Sequence, residues 1–330
     1  MSYTNGLDNP ELYFQVKLYS GNGSTQSITL DGDEDMQPDL VWLKARAGDN
    51  ISNWRSVDSV RGATIELYQD ANSAEETNTN GLTGFDSDGF SLGNSGGTNE
   101  GGTIYGAWNW KESATAGFDI VGYTGDGTAD LEIGHSLSAV PHFIIIKNRD
   151  DAEDWLCYHQ GMTDDYNNKL NTTDAEFGGA YIFDPTSSIF TLRDHNVVND
   201  DGDDYIAYCF SEKQGFSKFG SYTGNVNADG TFVYTGFKPA FVLLKNTADG
   251  GAAWQLFDNK RNTYNQMTGR LFPNLSDDEN TDATNNIDFL SNGFKMRTSN
   301  GDTNASSAFI YMAFAEAPFV NSNGVPCNAR

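Results

Sequence analysis

The stretch "PDLVWLKAR", from Pro38 to Arg46, places a proline before a nearly continuous apolar run that ends in a lysine. Such a run predicts a β-strand that is covered on both faces. Close copies follow later in the chain, "PHFIIIKNR" from Pro141 and "PAFVLLKNT" from Pro239. A proline is tolerated at the first residue of a strand, where its missing N–H breaks no ladder hydrogen bond. The copies therefore predict the same core strand in three successive units.

Other elements recur around this strand in a fixed order. Each unit opens with a Tyr-[Ser/Thr]-Gly strand end, and the proline-led strand is followed by Trp-x-x-x-[Asp/His], an aromatic hairpin and an alternating closing strand. The lysines that end the core strands are Lys44, Lys147 and Lys245. The tryptophans that follow them, with nearly the same period, are Trp54, Trp155 and Trp254. We interpret both triplets as structural, with the tryptophans buried in equivalent sites of the cores.

The repeated pattern indicates an all-β protein. Short aromatic runs are broken by Gly/Asn/Asp clusters, which is typical of strands and turns. About six or seven short strands per unit favour a β-sandwich, and each unit is long enough to bury a core of its own. We therefore predict three tandem, internally repeated, jelly-roll-like β-sandwich domains. The predicted ranges are an N-terminal segment 1–13, domains 14–112, 113–213 and 214–316, and a C-terminal tail 317–330.

The charge of the chain argues against several classes of partner. Its 330 residues include 20 Lys and Arg but 46 Asp and Glu, for a net charge of −26. Such a surface repels phosphate backbones and anionic membranes, so we expect no nucleic-acid partner. No apolar stretch of about 18 residues predicts membrane insertion, and the N-terminus does not resemble a secretory signal. We therefore expect a chain that is made and assembled in the cytoplasm.

Metal and disulfide chemistry have weak support in the sequence. The three cysteines show no CxxC spacing, which argues against a disulfide framework or a zinc site, and Cys157 and Cys209 lie in apolar runs. The acidic stretch "NDDGDD" offers hard oxygen ligands of the kind that calcium prefers. Its candidate ligands are Asp200, Asp201, Asp203 and Asp204. A solvated acidic loop is the alternative, because the EF-hand spacing is missing, and we expect no other cofactor.

No residue pattern predicts catalysis. Asp58 and Arg61 recur as Asp258 and Arg261, but His159 takes the place of the aspartate in the middle unit. A catalytic aspartate would not normally be replaced in this way, so we interpret these residues as turn acceptors with a charge partner. GxSxG, phosphate-loop and HExxH motifs are missing from the sequence.

Two further stretches raise the question of ligand binding. The glycine-rich "GNSGGTNEGG", from Gly93 to Gly102, lies between two strands and predicts a flexible hairpin tip. Trp108 and Trp110 share one face of the closing strand. Such a pair could stack on sugar rings, but tryptophans two apart on a strand are more often part of the core.

Several motifs together resemble a known group of proteins. The segments are "PDLVWLKAR", "VDSVRGAT", "GLTGFDSDGFSLG", "AWNWK" and the ending "YMAFAEAPFVNSNGVPCNAR". They are similar to the virion structural, or tail-fibre-like, proteins of marine tailed bacteriophages, most closely over residues 37–111 and 309–330. The chain departs from that pattern in the acidic stretch from Asp31 to Asp35 and in the missing Asp-Arg pair of the middle unit.

The resemblance implies a non-enzymatic component of the virion. A tail fibre or another host-contacting surface protein is the first expectation, and a capsid decoration or tail-sheathing protein is an alternative. A lectin or glycanase built on tandem sandwiches is the alternative from another class. A cleft with two facing carboxylates about 5–10 Å apart would favour a glycanase. The implied partners are other virion proteins and a host surface glycan or receptor.

The net charge of −26 opposes close packing of identical chains, so we expect subunits to meet through weakly charged surfaces in a closed homo-oligomer, and we predict a trimer. The candidate contacts are the weakly charged ends of the chain, with Leu12 and Phe14 at one end and Phe319 and Val320 at the other. The acidic inserts of the three units are expected to face solvent, where contact with a host could occur. These inserts are residues 66–81, 161–179 and 262–285.

Overall fold

The computed structural model describes residues 7, 9–48 and 51–315 and confirms that the protein is almost entirely β. The predicted tail 317–330, with Phe319 and Val320, lies outside the described residues, as do residues 1–6 and 8 of the predicted N-terminal segment. Antiparallel sheets account for the fold, and the helices in the described part are single turns.

The first unit contains two main antiparallel sheets and a small two-stranded one. Its elements are a 3-10 turn (Pro10–Leu12), β1 (Phe14–Ser20), β2 (Gln26–Thr29), β3 (Leu40–Ala47), β4 (Arg55–Asp58), β5 (Ile65–Glu66), β6 (Glu76–Thr77), β7 (Leu82–Asp86), β8 (Gly89–Leu92), α1 (Gly96–Asn99) and β9 (Ile104–Trp110). The inner sheet has the order β1-β9-β3-β4, and the outer sheet has the order β2-β8-β7. Strands β5 and β6 form a separate pair.

The second unit has the same arrangement with a wider inner sheet. Its elements are β10 (Phe118–Thr124), β11 (Leu131–Gly134), β12 (Phe143–Asn148), β13 (Leu156–His159), β14 (Tyr166–Lys169), β15 (Phe177–Gly178), β16 (Ile182–Phe183), β17 (Ile189–Leu192), α2 (Asn196–Asn199) and β18 (Asp204–Phe210). The inner order is β10-β18-β12-β13-β14-β15, and the outer order is β11-β17-β16.

The third unit again places two sheets together. Its elements are β19 (Ser217–Thr223), β20 (Phe232–Tyr234), β21 (Pro239–Asn246), β22 (Gln255–Asp258), β23 (Ile287–Leu290), β24 (Gly293–Met296), α3 (Gly301–Asn304) and β25 (Ala308–Ala315). The inner order is β19-β25-β21-β22, and the outer order is β20-β24-β23. The predicted domain boundaries at 112/113 and 213/214 fall between strands, and the jelly-roll-like connectivity stays a prediction.

The inner sheet is buried on both faces, which explains why its central strand is apolar throughout. In β3, Val41, Leu43 and Ala45 pack against the outer sheet of the same unit. Leu40 and Trp42 point to the other side and join a larger cluster. Strands β12 and β21 divide their side chains between two clusters in the same way. The opening sequence motif is therefore the two-sided strand of each unit.

The inner faces of the three units form one common aromatic core. Phe14 of the first unit stacks on Phe314 of the third, with ring centroids 4.8 Å apart. Phe210 of the second unit contacts the same ring edge-on at 6.3 Å. We expected each unit to bury a core of its own, and each does so between its two sheets. The larger cluster, however, draws on all three units.

Phe14 also limits one of the predicted oligomer contacts. Its side chain is 4% exposed and lies in the common core, so it cannot anchor a neighbouring subunit. Leu12 is half-buried in the 3-10 turn before β1. The part of the N-terminal segment that the structure describes therefore packs on its own chain.

Trp54, Trp155 and Trp254 are fully buried, and their indole N–H groups join the units in a closed cycle. Trp54 donates to the carbonyl oxygen of Phe272 at 2.8 Å, which links the first unit to the third. The indole of Trp155 donates to the carbonyl oxygen of Tyr68 at 2.8 Å, and that of Trp254 donates to the carbonyl oxygen of Lys169 at 2.9 Å. Each tryptophan thus bonds to the unit that precedes it around the cycle.

Replacing Trp254 tests this arrangement. We expect Trp254→Ala to lower the free energy of unfolding by about 3–5 kcal/mol, because it empties a large buried site. Trp254→Phe keeps most of the packing but leaves the Lys169 carbonyl without its donor, which should cost about 1–3 kcal/mol. Urea unfolding followed by tryptophan fluorescence measures both variants. A Trp254→Ala protein that unfolds at the parent's midpoint would contradict the assignment.

Candidate functional site

The acidic inserts take part in the contacts between units, although many of their residues face solvent as expected. The main-chain N–H of Glu75 donates to the carbonyl oxygen of Arg149 at 2.8 Å. The equivalent bonds in the other inserts run from Glu176 to Thr247 at 2.8 Å and from Glu279 to Arg46 at 2.9 Å. Each insert therefore lies against the next unit in the cycle. The sequence predicted the exposed residues of the inserts but not their contacts with the next unit.

Ion pairs strengthen two of these contacts. The guanidinium of Arg149 bonds to both carboxylate oxygens of Glu75, at 2.8 and 2.9 Å. Arg46 contacts Glu279 at 2.7 Å. In the remaining contact Thr247 replaces the arginine, and Glu176 instead accepts a hydrogen bond from Thr163 of its own insert. The inserts are thus held mainly by main-chain bonds, with charge pairs at two of the three positions.

The three predicted structural lysines are buried, and two of them contact these inserts. Lys44 donates to the carbonyl oxygen of Ser276 at 3.0 Å, and Lys245 donates to that of Thr173 at 3.2 Å. Lys147 stays within its own unit and donates to the carbonyl oxygen of Asp151 at 3.1 Å. The ammonium groups therefore satisfy main-chain acceptors that burial would otherwise leave unpaired.

Burial lowers the pKa of each of these lysines to about 8. The unfolded chain keeps its lysines protonated up to about pH 10.4. Below pH 8 the lysines are protonated in both the folded and the unfolded chain, and burying their charge lowers the stability of the folded chain. Between those values the unfolded state binds more protons, so this contribution to stability increases as pH rises.

The aspartate-arginine pairs are internal ion pairs at the unit boundaries. Asp58 and Arg61 are 2.6 Å apart with fully buried side chains, and the hydroxyl of Tyr208 in the second unit donates to Asp58 at 2.7 Å. Asp258, which pairs with Arg261, accepts a hydrogen bond from the indole of Trp108 in the first unit at 3.2 Å. The structure therefore places all of these residues in tertiary contacts, away from solvent.

His159 stands in place of the aspartate because the residue that faces it from the neighbouring unit is not a hydrogen-bond donor. Residues Trp108 and Tyr208 hold the same position in their closing strands as Met312 of the third unit, which has no donor to offer. The imidazole Nδ1 of His159 accepts from the N–H of Gly161 at 2.9 Å, so Nε2 carries the proton and donates to the carbonyl oxygen of Tyr311 at 3.1 Å. Burial lowers the pKa of His159 to about 4, which keeps the ring neutral.

The structure brings together only part of the predicted calcium set. Carboxylate oxygens of Asp200 and Asp203 lie within 4.8 Å of one from Asp151, which the sequence analysis did not include. Asp203 also accepts a hydrogen bond from the amide of Asn148 at 2.7 Å. Asp204 instead accepts from Thr124 at 2.7 Å, and Asp201 is outside the group. These contacts give most of the acids a role in the loop itself, and calcium binding stays a prediction.

Two stretches considered for ligand binding are internal. Trp108 and Trp110 are 0% and 1% exposed and belong to the common core, so they cannot stack on a sugar. The glycine-rich stretch contains the helical turn α1, which corrects its interpretation as a flexible tip. Asn99 at the end of this turn is fully buried, and its amide donates to the carbonyl oxygen of Gly93 at 2.7 Å.

A cleft of about 550 Å³ opens in the second unit at the end of its two sheets. Strands β14 and β15 form one wall, and the start of α2 forms the other. Aromatic rings line it: Tyr181 contacts His195 edge-on with ring centroids 4.5 Å apart, and Phe177 lies 5.8 Å from Tyr181. The ammonium of Lys169 lies over the ring of Phe177 at 5.5 Å. Sequence analysis did not predict this cleft.

Acidic groups give the cleft its charge. Asp154 is paired with Lys169 at 2.8 Å and accepts from the amide of Asn171 at 2.8 Å. Burial alone would raise the pKa of Asp154, but these two partners together lower it. Burial raises the pKa of the neighbouring Glu153. Asp174 completes the acidic lining and lies 4.0 Å from Lys169.

The corresponding place in the first unit is filled by an arginine. Arg55 follows Trp54 as Leu156 follows Trp155, and its guanidinium donates to Glu66 at 3.1 Å and to the carbonyl oxygen of Gly97 at 3.1 Å. A Cβ at Gly97 would lie 1.8 Å from this guanidinium. The second unit has Val197 in the position of Gly97. Leucine and valine at these two positions were the sequence signal that this corner of the second unit is not filled by an arginine.

The fold and these contacts define an all-β protein of β-sandwich units whose inserts hydrogen-bond to the neighbouring unit. A model of the family described as a domain of unknown function, DUF7483, matches residues 9–318, and the chain belongs to this family. No curated protein and no solved structure matches it. Within the described part of the chain, no helix is long and apolar enough to cross a membrane.

The buried lysines lead to a pH prediction. Between pH 8 and 9, each lysine should add up to about 1 kcal/mol to the free energy of unfolding. The buried thiols of Cys157 and Cys209 oppose this trend, because burial raises their pKa and only the unfolded chain loses the proton. Comparison with Lys245→Met cancels the thiol effect.

Chemical denaturation of the two proteins at several pH values provides the measurement. We expect the stability difference between the parent and Lys245→Met to shift by about 1 kcal/mol in favour of the parent from pH 8 to 9. A difference that does not vary with pH over this interval would show that Lys245 keeps an ordinary pKa.

Proposed function

We propose that this chain is a non-enzymatic structural protein of a bacteriophage particle, most simply a tail fibre or another host-contacting surface component. The observation that carries the proposal is the closed cycle of three units around a common core. Such a body holds its outer loops in a fixed arrangement, as a particle component exposed to solvent requires. The motifs that resemble phage virion proteins supply the link to a particle. A capsid decoration or tail-sheathing role is the alternative within this class.

The fate of the charged residues supports a role without catalysis. Asp58 and Asp258, the acids that recur between units, are 0% and 1% exposed. Each carboxylate forms an ion pair with an arginine and accepts a hydrogen bond from an aromatic side chain of another unit. A substrate would have to displace these partners and part of the core to reach them. They therefore serve the assembly of the fold in this proposal.

Contact with other virion proteins or further copies of the chain would use the third unit. Tyr264 is 84% exposed, and Phe232 and Tyr234, on the edge strand β20, are 43% and 62% exposed. Exposed aromatic residues of this kind are enriched in protein interfaces. We retain a homotrimer as the proposed oligomer, and its contacts would lie on this unit and not on Phe14.

A carbohydrate-binding protein or glycanase is the second candidate, and the cleft of the second unit favours it. Glu153 and Asp154 have pKa values that move in opposite directions, as an acid and a base of a glycanase do. Asp154, however, is already bound by Lys169 and Asn171. We therefore favour binding over hydrolysis in this cleft.

Two measurements test the proposal. Antibodies against the purified chain should label isolated phage particles in electron micrographs, at a fixed position on the particle. The purified chain should release no reducing sugar from host envelope material. Particles that contain no copy of the chain would contradict the structural role. Sugar release that is lost in Glu153→Gln, but kept in the control Glu176→Gln, would establish the glycanase instead.

A further inference from the structure

We propose that the cleft of the second unit binds a pyranose ring of a glycan that carries no acidic group. The inference rests on the proposed host-contacting function, whose chemical target it specifies. The cleft is within the size range of about 300–1,000 Å³ in which proteins bind small ligands. Six side chains carry the argument: Asp154, Lys169, Phe177, Tyr181, His195 and Asn196.

Two aromatic side chains of the cleft offer apolar surface to a sugar ring. Phe177 and Tyr181 are half-buried, and their rings are tilted by 51° to each other at the mouth between the two sheets. The ring of Tyr181 contacts His195 edge-on, and its main-chain N–H donates to the amide oxygen of Asn167 at 2.9 Å. Rigid aromatic rings that are part apolar and part polar bind ligands at little entropic cost.

Polar groups that can donate and accept hydrogen bonds line the same cleft. Asp154 offers acceptors, Lys169 offers donors, and Asn196 offers both. Because Asp154 and Lys169 are paired with each other, their positions are fixed before a ligand arrives. Asn196 is exposed and bonds to Glu153 across the rim of the cleft. Sites of this kind use a few placed polar groups to orient a ligand on an apolar surface.

A buried amide marks the difference between the second unit and the first at this corner. Asn167 is fully buried directly beneath Tyr181, yet its Nδ2 has no hydrogen-bond partner among the described residues. Buried donors are rarely left unpaired in proteins. In the first unit, the equivalent position is Glu66, which is bonded to Arg55 and Asn78. The second unit lacks that arginine, and its cleft is open.

The charge of the cleft selects among sugars. Glu153, Asp154 and Asp174 oppose the single ammonium of Lys169, so the lining is acidic overall. Like charges placed against one another disfavour binding. Uronic acids and sugar phosphates are therefore excluded, and neutral hexoses, N-acetylhexosamines and amino sugars remain.

Binding of the full chain to an array of immobilised oligosaccharides tests the inference. The array carries neutral hexoses, N-acetylhexosamines, amino sugars and uronic acids. We expect binding to at least one of the first three classes and none to uronic acids. The bound oligosaccharide is then titrated in solution by calorimetry against the parent chain and its variants.

Two variants of the cleft and one control make the result specific. Tyr181→Ala and Asn196→Ala should each weaken binding by about tenfold or more. Asn196 is exposed, so its replacement keeps the assay informative even if Tyr181→Ala unfolds the unit. Val226→Ala shortens a side chain of the third unit that is 54% exposed and has no part in the cleft, so it should leave affinity unchanged.

Three outcomes would overturn the inference: no binding to any acid-free sugar, preference for uronic acids, or loss of affinity in Val226→Ala with none in the cleft variants. Particle labelling separates this inference from the proposed function. Labelled particles without glycan binding refute the cleft's role alone. Glycan binding by a chain that no particle contains refutes the virion role and leaves the cleft as a sugar site.

Discussion

Three indole hydrogen bonds close the molecule into a ring, and the remaining contacts between units depend on that closure. Each tryptophan is buried beside an insert of the preceding unit and donates to one of its main-chain carbonyls. The same inserts receive the tryptophan main chain: Asp70, Asn171 and Asn274 accept from the N–H groups of Trp54, Trp155 and Trp254. An insert therefore recognises its own tryptophan through a side chain and its neighbour's through a carbonyl.

Burying so many polar groups imposes a strict requirement for partners. The buried lysines meet it with carbonyl oxygens, and Asp58 and Asp258 meet it with an arginine and an aromatic donor. The middle unit shows how the requirement shapes the sequence. Where the opposing strand supplies Met312 instead of a donor, the facing residue is a neutral histidine that bonds to a carbonyl. A departure from the pattern in one unit thus has its cause in another.

The sequence predicted those features that are local to a strand. An apolar run with a proline before it and a lysine after it predicted the two-sided core strand, and the aromatic alternation predicted the all-β class. The packing of the units could not be predicted in the same way, because it depends on which faces meet. The contacts are made by Tyr68-x-Asp70, Lys169-x-Asn171 and Phe272-x-Asn274. These three segments have only the final Asp or Asn side chain in common. The third also lies farther from its tryptophan than the others.

The cleft was missed for a related reason. It arises where Leu156 and Val197 stand in place of Arg55 and Gly97, so it is defined by what the second unit lacks relative to the first. Its lining residues come from the loop before β13 and the start of that strand, from the polar insert and the residues just after it, and from the turn α2. These segments lack the periodicity from which a strand is recognised. The same corner is filled in the first unit and open in the second.

The central claim is that the three units share one core and stabilise one another. Differential scanning calorimetry of the full chain tests it most directly, because a shared core couples the unfolding of its parts. The account predicts a single transition in which the calorimetric and van't Hoff enthalpies agree. Two or three separate transitions, each with the enthalpy of one unit, would show that the units are independent domains and would contradict the account.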